Sequence, residues 1–285
     1  MIRMKYIIVF FLIFLSGLNI WGQGVNCEYL YKDDSLCYKA CKLLYGSYRG
    51  DKSDLQGTKE NQALLDSAIL LCPHFADAYY VKAIPYLKRG EFMTWKKIID
   101  QAVQNDSILY LGYRGGSRFM FLRDYKGAIE DIECLKNKVT WDIGTIYNGE
   151  YHLEVIRSLS YKGLGDTIKA IRILEKHLSN NNEIGLYDYF HLGVMFYEIK
   201  EYVKAESAFQ KQLTRNANLA DLYFYLSKIE RKKDNIALCR FYLEKAYDLY
   251  INKLSLRGFD SFMDYPDKIY LAQIQLELDT VELIK

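Results

Sequence analysis

The side chains most able to do chemistry are six cysteines and four histidines. Four of the cysteines, Cys27, Cys37, Cys41 and Cys72, lie in the first 75 residues. Cys37 and Cys41 are four apart, a spacing that puts both on one face of a helix. One of them can reach Cys72 and another Cys27, and an oxidising compartment would permit disulfides. Four cysteines allow three pairings, and the sequence does not choose among them. The alternative is a set of reduced, buried, apolar thiols. Zinc held by these cysteines with His74 is not expected, because the paired Cys-x2-Cys spacing of structural sites is absent.

His74, His152, His177 and His191 show no metal-motif spacing with a carboxylate between them, and no nucleophile stands in sequence reach to make one a general base. His191, beside Leu192 and Gly193, reads as a partly buried packing residue. Glu130, Asp131 and Glu133 read as a solvated helix face. Gly163-Leu-Gly165 has no strand before it and reads as a turn rather than a dinucleotide loop. There is no Gly-x4-Gly-Lys phosphate loop and no Gly-x-Ser-x-Gly elbow. The sequence therefore predicts no catalytic residues, no metal and no cofactor.

Elements that carry so little chemistry are still well marked. Only 3 prolines and 18 glycines punctuate 285 residues, which favours long helices over turn-rich sheets. Lys and Arg total 38 against 36 Asp and Glu, too even a balance for a nucleic-acid binder. Residues 1–24 combine Arg3 and Lys5, an apolar run from Tyr6 to Leu15, and an exit of small residues through Gly22 and Gly24. This is the pattern of a secretory signal peptide. An uncleaved membrane anchor from Tyr6 to Trp21 is the alternative, and a lipoprotein acylated at Cys27 a third reading. Arg3 and Lys5 are the only charges before residue 25, so the predicted mature chain is formally neutral. An exported protein, periplasmic or at the cell surface, is expected, with no membrane contact after cleavage.

The rest of the chain repeats. Trp95, Ala128, Ala170, Ala205 and Cys239 mark one position early in a second helix, spaced 33, 42, 35 and 34 residues apart. Ala83, Gly116, Ser158, Gly193 and Ser227 mark a small residue in the preceding helix, where two backbones must approach closely. The long interval implies an insertion within 136–149. Pro85 should kink its helix.

Tyr189, Leu192, Gly193, Phe196, Ala205 and Phe209, with the Arg123–Asp131 stretch, resemble the tetratricopeptide repeat of two helices and a turn. The resemblance implies an all-α, right-handed superhelical solenoid of antiparallel helix pairs. A divergent, Cys-rich helix pair would occupy 25–75. Repeats would start near 76, 109, 151, 186 and 220 and end near 250, and a capping helix would fill 251–285. The resemblance also implies that the first helices line a groove. Its candidate residues are Tyr80, Ile84, Tyr110, Tyr113, Ser117, Val155 and Leu159, followed by Tyr187, Phe190, Val194, Tyr197, Phe224, Lys228 and Arg231. Such a surface, aromatic along its length and basic at one end, suits a protein or peptide partner. A glycan-binding accessory protein and a membrane-tethered assembly subunit are the alternatives. The carboxylate clamp of Lys and Asn used by chaperone-binding members is not matched, since Tyr80, Ile84, Tyr113 and Ser117 occupy its places.

Overall fold

The computed structural model describes residues 26–47, 56–146, 149–180, 183–256 and 265–283. The predicted leader, 1–24, lies outside the described residues, and with it the choice between cleavage and anchoring. Among the described residues no helix is long and apolar enough to cross a membrane. They are helical throughout apart from connections and one isolated bridge between Thr145 and His152.

The chain divides into two compact units. The first comprises residues up to Tyr86 together with Thr94–Asn105. It holds α1 (Cys27–Leu30), α2 (Ser35–Ser47), α3 (Lys59–Leu71), most of α4 (Ala76–Lys88) and most of α5 (Phe92–Asn105). Asp34 and Thr58 accept the otherwise unpaired amides at the starts of α2 and α3. α2 packs on α3, and Leu44, Leu65, Ala68 and Phe75 close a core with the four cysteines. α4 continues through Pro85. Pro85 falls in the last turn, where only its own amide bond is lost.

The second unit takes Leu87–Met93 and Asp106 onward. In chain order it contains α6 (Ser107–Ser117), a π-helical turn (Arg118–Leu122), α7 (Tyr125–Lys138), α8 (Leu153–Gly163) and α9 (Thr167–Asn180). These are followed by α10 (Asp188–Glu198), α11 (Tyr202–Arg215), α12 (Ala220–Lys232), α13 (Ile236–Ile251) and α14 (Leu271–Glu282). Consecutive helices pack as hairpins: α6 on α7, α8 on α9, α10 on α11, α12 on α13. α14 packs on α13 and spans Leu271–Glu282, shorter than the 251–285 expected for the capping helix.

A backbone feature fixes the repeat. Gly90, Arg123, Gly165, Lys200 and Asp234 all adopt positive φ, between 53° and 88°. Each stands in the turn of a helix–turn–helix, five residues before Trp95, Ala128, Ala170, Ala205 or Cys239. A single left-handed residue reverses the chain, which is easy for glycine and strained for the other three.

The small residues serve the contact between paired helices. Ala83, Gly116, Ser158, Gly193 and Ser227 are all buried. A Cβ on Gly193 would lie 2.3 Å from the Phe209 ring, so this glycine lets α11 seat its phenylalanine against α10. Ser158 Oγ donates 2.7 Å to the carbonyl of Ala170, joining the two marked positions directly. The insertion falls in the connection between α7 and α8, whose Ile146 side chain fills the space over Gly116.

Candidate functional site

In the first unit the sulfurs pair as Cys27–Cys41 and Cys37–Cys72. All four are buried. His74 Nε2 lies 3.4 Å from Cys37 Sγ. Cys37, Cys72 and His74 thus gather at ligand distance, but metals bind thiolates, and here both sulfurs are committed to a disulfide. Cys134 is reduced and exposed, and Cys239 reduced and buried.

The groove residues separate into two groups. Tyr80, Ile84, Tyr113, Tyr187 and Tyr197 are half-buried and reach the surface. Tyr110, Phe190 and Phe224, expected in the groove, are instead core, as are Ser117, Val155, Leu159 and Val194. Phe190 packs edge-on against Tyr225, with centroids 5.9 Å apart, and against Phe209. Phe224 shares a cluster with Ile269, Ile274 and Val281 of the C-terminal segment. The expected basic end is also different. Glu277 of α14 receives both Lys228 Nζ and Arg231 Nη1, each at 2.5 Å. Burial opposes the charge on Glu277, but the two cations outweigh it and hold the carboxyl below its usual range.

What covers these helices is the stretch 265–270, here called the strap, which turns at Pro266–Asp267 with Asp267 left-handed at φ 67°. Its Asp267 is buried against α8 and α10, pairing with Lys162 Nζ and, at 2.7 Å, with His191 Nδ1. Lys162 also meets Glu198 at 2.8 Å. Burial alone would raise Asp267 and lower Lys162. Their mutual attraction wins in both, depressing the Asp267 carboxyl and lifting the Lys162 ammonium. Behind them, Tyr151 Oη lies 2.9 Å from His191 Nε2. Burial drives the Tyr151 phenol well above its usual value, so it keeps its proton beside Nε2. His191 in turn gives its Nδ1–H to the ionised Asp267. The row Asp267–His191–Tyr151 has the order of a proton relay, yet Tyr151 is sealed from solvent. Its role is to fasten the strap.

Two further ties complete the attachment. The buried Asp221 carboxylate of α12 accepts the backbone amides of Leu256 at 2.9 Å and Ile269 at 2.8 Å. Burial raises its pKa to about 6, against the lowering effect of those two amides. Tyr265 donates its hydroxyl to Glu150 and lays its ring 6.0 Å from that of Tyr151. On its outer side the strap borders a cleft of about 270 Å³, shared with Arg123 and Tyr125 from the α6–α7 turn.

Other polar residues turn out to be structural. Asp131, read as solvated, is buried between Arg114 and Arg118. His152 caps α8 through Nδ1, meets Asp142 at 2.7 Å and stacks on His177 at 4.5 Å. Gln212 accepts from Phe190 N at 3.0 Å and donates to Leu186 O at 2.8 Å, tying α11 to the start of α10. Sequence reasoning missed Lys162, Asp221 and Asp267. The available signal was Asp221 itself, a lone charge in the apolar run Leu219–Leu222.

No protein-family model matches the chain, and none of the curated proteins does. Solved structures do resemble it. PilF of Pseudomonas aeruginosa is 15% identical, covers 88% of this chain and 99% of its own, and superposes with a TM-score of 0.60. A tetratricopeptide repeat protein from Parabacteroides merdae is 15% identical over 90% of this chain and 88% of its own, with a TM-score of 0.51. A chain of the APC/C hetero-tetramer Cut9–Hcn1 is 14% identical over 86% of this chain and 42% of its own, at 0.54. Helix pairs, left-handed turns at a period near 34 and these likenesses agree: the chain has the tetratricopeptide-repeat fold.

Proposed function

We propose that this chain is a non-catalytic scaffold that binds a protein or peptide through its first helices. The observation that carries the reading is positional. Ten residues before each left-handed turn stand Tyr80, Tyr113, Val155, Phe190 and Phe224. The tyrosines at the first two places remain half-exposed, and each offers a large ring with a polar tip and few rotatable bonds. The fold supports the reading as well, since one chain similar to this one was solved within a hetero-tetramer.

The test is photo-crosslinking in cells, with p-benzoylphenylalanine in place of Tyr80 or Tyr113 and, as a control, in place of the buried Phe190. A discrete protein adduct at the two tyrosines and none at Phe190 is the expected result. Absence of any adduct at Tyr80 and Tyr113 removes the scaffold reading.

We also propose export to a periplasm or cell surface. The predicted leader and the two buried disulfides both support it. A mature mass beginning at Gln23 or Val25 is expected. A mass that includes Met1 would establish the anchored alternative instead.

A further inference from the structure

We propose that the face formed by α8, α10 and α12 is a binding site for a peptide that turns to present one carboxylate, and that the chain's own strap occupies it as a tethered stand-in. This deepens the scaffold reading and rests on it.

Three observations converge. First, the groups that receive the strap sit on successive first helices: Lys162 on α8, His191 on α10 and Asp221 on α12. Second, the strap is held much as a peptide is held. Asp221 grips a backbone amide of Ile269, a contact indifferent to side-chain identity. Specificity comes from one carboxylate, Asp267, on Lys162 and His191, and one aromatic ring two residues earlier, Tyr265, on Tyr151 and Glu150. Third, the strap is not enclosed, because its outer edge borders the cleft shared with Arg123 and Tyr125. The ligand chemistry follows: a segment with an aromatic residue, one turn-forming spacer and an acidic residue that can take a left-handed conformation.

A tethered occupant acts at an effective concentration on the order of millimolar. A free peptide must therefore compete, and its apparent affinity falls by the fraction of molecules in which the site is empty. Weakening the strap should raise that affinity without any change in the receiving helices.

The probe is a fluorescein-labelled peptide of residues 265–276, titrated by anisotropy into the full chain. Asp267→Asn should bind it at least about tenfold more tightly than the wild type does. A peptide carrying Asn in place of its Asp should bind at least about tenfold more weakly to the same variant, and Lys162→Met added to that variant should abolish binding. Equal affinity of wild type and a folded Asp267→Asn variant overturns the proposal. So does indifference to the peptide's Asp. Should Asp267→Asn fail to fold, Tyr265→Phe decides by the same criteria, since it loses only the hydroxyl contact to Glu150. An adduct at Tyr113 with no peptide binding removes this inference and leaves the scaffold reading; peptide binding with no adduct does the reverse.

Discussion

Cys27–Cys72 and Tyr265–Glu282 each fasten a terminal stretch of chain onto helices, one with two disulfides and the other with buried charge. A disulfide acts mainly by restricting the unfolded chain, so pH and salt hardly touch it and reductant destroys it. Buried ion pairs are insensitive to reductant and depend on which groups hold their protons. The comparison teaches that one chain can close its termini against different threats. The N-terminal closure is held by covalent bonds, whereas the C-terminal closure is held by charge and packing alone.

Breaking the covalent closure should have the largest effect. In the chain-entropy account, bridges spanning 35 and 14 residues are worth roughly 4 and 3 kcal/mol. Reduction, or Cys37→Ser with Cys72→Ser, should cost at least about 4 kcal/mol in chemical denaturation read from the first unit. A loss below about 1 kcal/mol would show that the apolar core alone suffices there. Next comes Asp267→Ala, at about 3 kcal/mol in the second unit. This is the low end for a broken buried pair, because Glu198 still partners Lys162. Reductant should leave that value unchanged, and a reductant-sensitive strap would dissolve the contrast between the two closures.

A smaller effect separates the carboxylates within the second unit. Asp221 has its folded pKa raised to about 6 from 3.8, so the folded state takes up its proton first. Stability should therefore rise by about 1 kcal/mol as pH falls from 7 to 5. Asp267 is shifted the other way. Its contribution is present above the unfolded value and disappears as pH falls below about 4 through the lower folded one. Urea midpoints across pH 3 to 8 should trace a maximum near pH 5, and Asp221→Asn should flatten the rise. The smallest effect lies outside both closures. Lys200 is left-handed in its turn, so Lys200→Gly should stabilise by about 0.5 kcal/mol in thermal melts.

The repeats were legible because close helix packing leaves a local trace: Gly193 facing Phe209 and Ala205 beyond the turn can be read at fixed spacing. The strap left no such trace. Lys162 and Asp267 are 105 residues apart, His191 and Asp267 are 76 apart, and pairing of charges imposes no period on the sequence. Phe190 is covered within the repeats, by Phe209 and Tyr225, whereas the misplacement of Phe224 has the same origin as that of the strap. Its position on α12 follows from the repeat, but its cover comes from Ile269 and Ile274, in a stretch outside the repeat. Asp131 was misread because its partners, Arg114 and Arg118, lie on the preceding helix and its π-helical turn.

The left-handed turns carry a consequence for how such a chain can change. Each helix–turn–helix resets its own phase at Gly90, Arg123, Gly165, Lys200 or Asp234, like an index mark on a scale. Length added between marks is not passed on: after the 42-residue interval the spacing returns at once to 35 and 34. Copying, deleting or lengthening one interval therefore leaves the others in step, and this chain has the layout of a text that can be edited by the line.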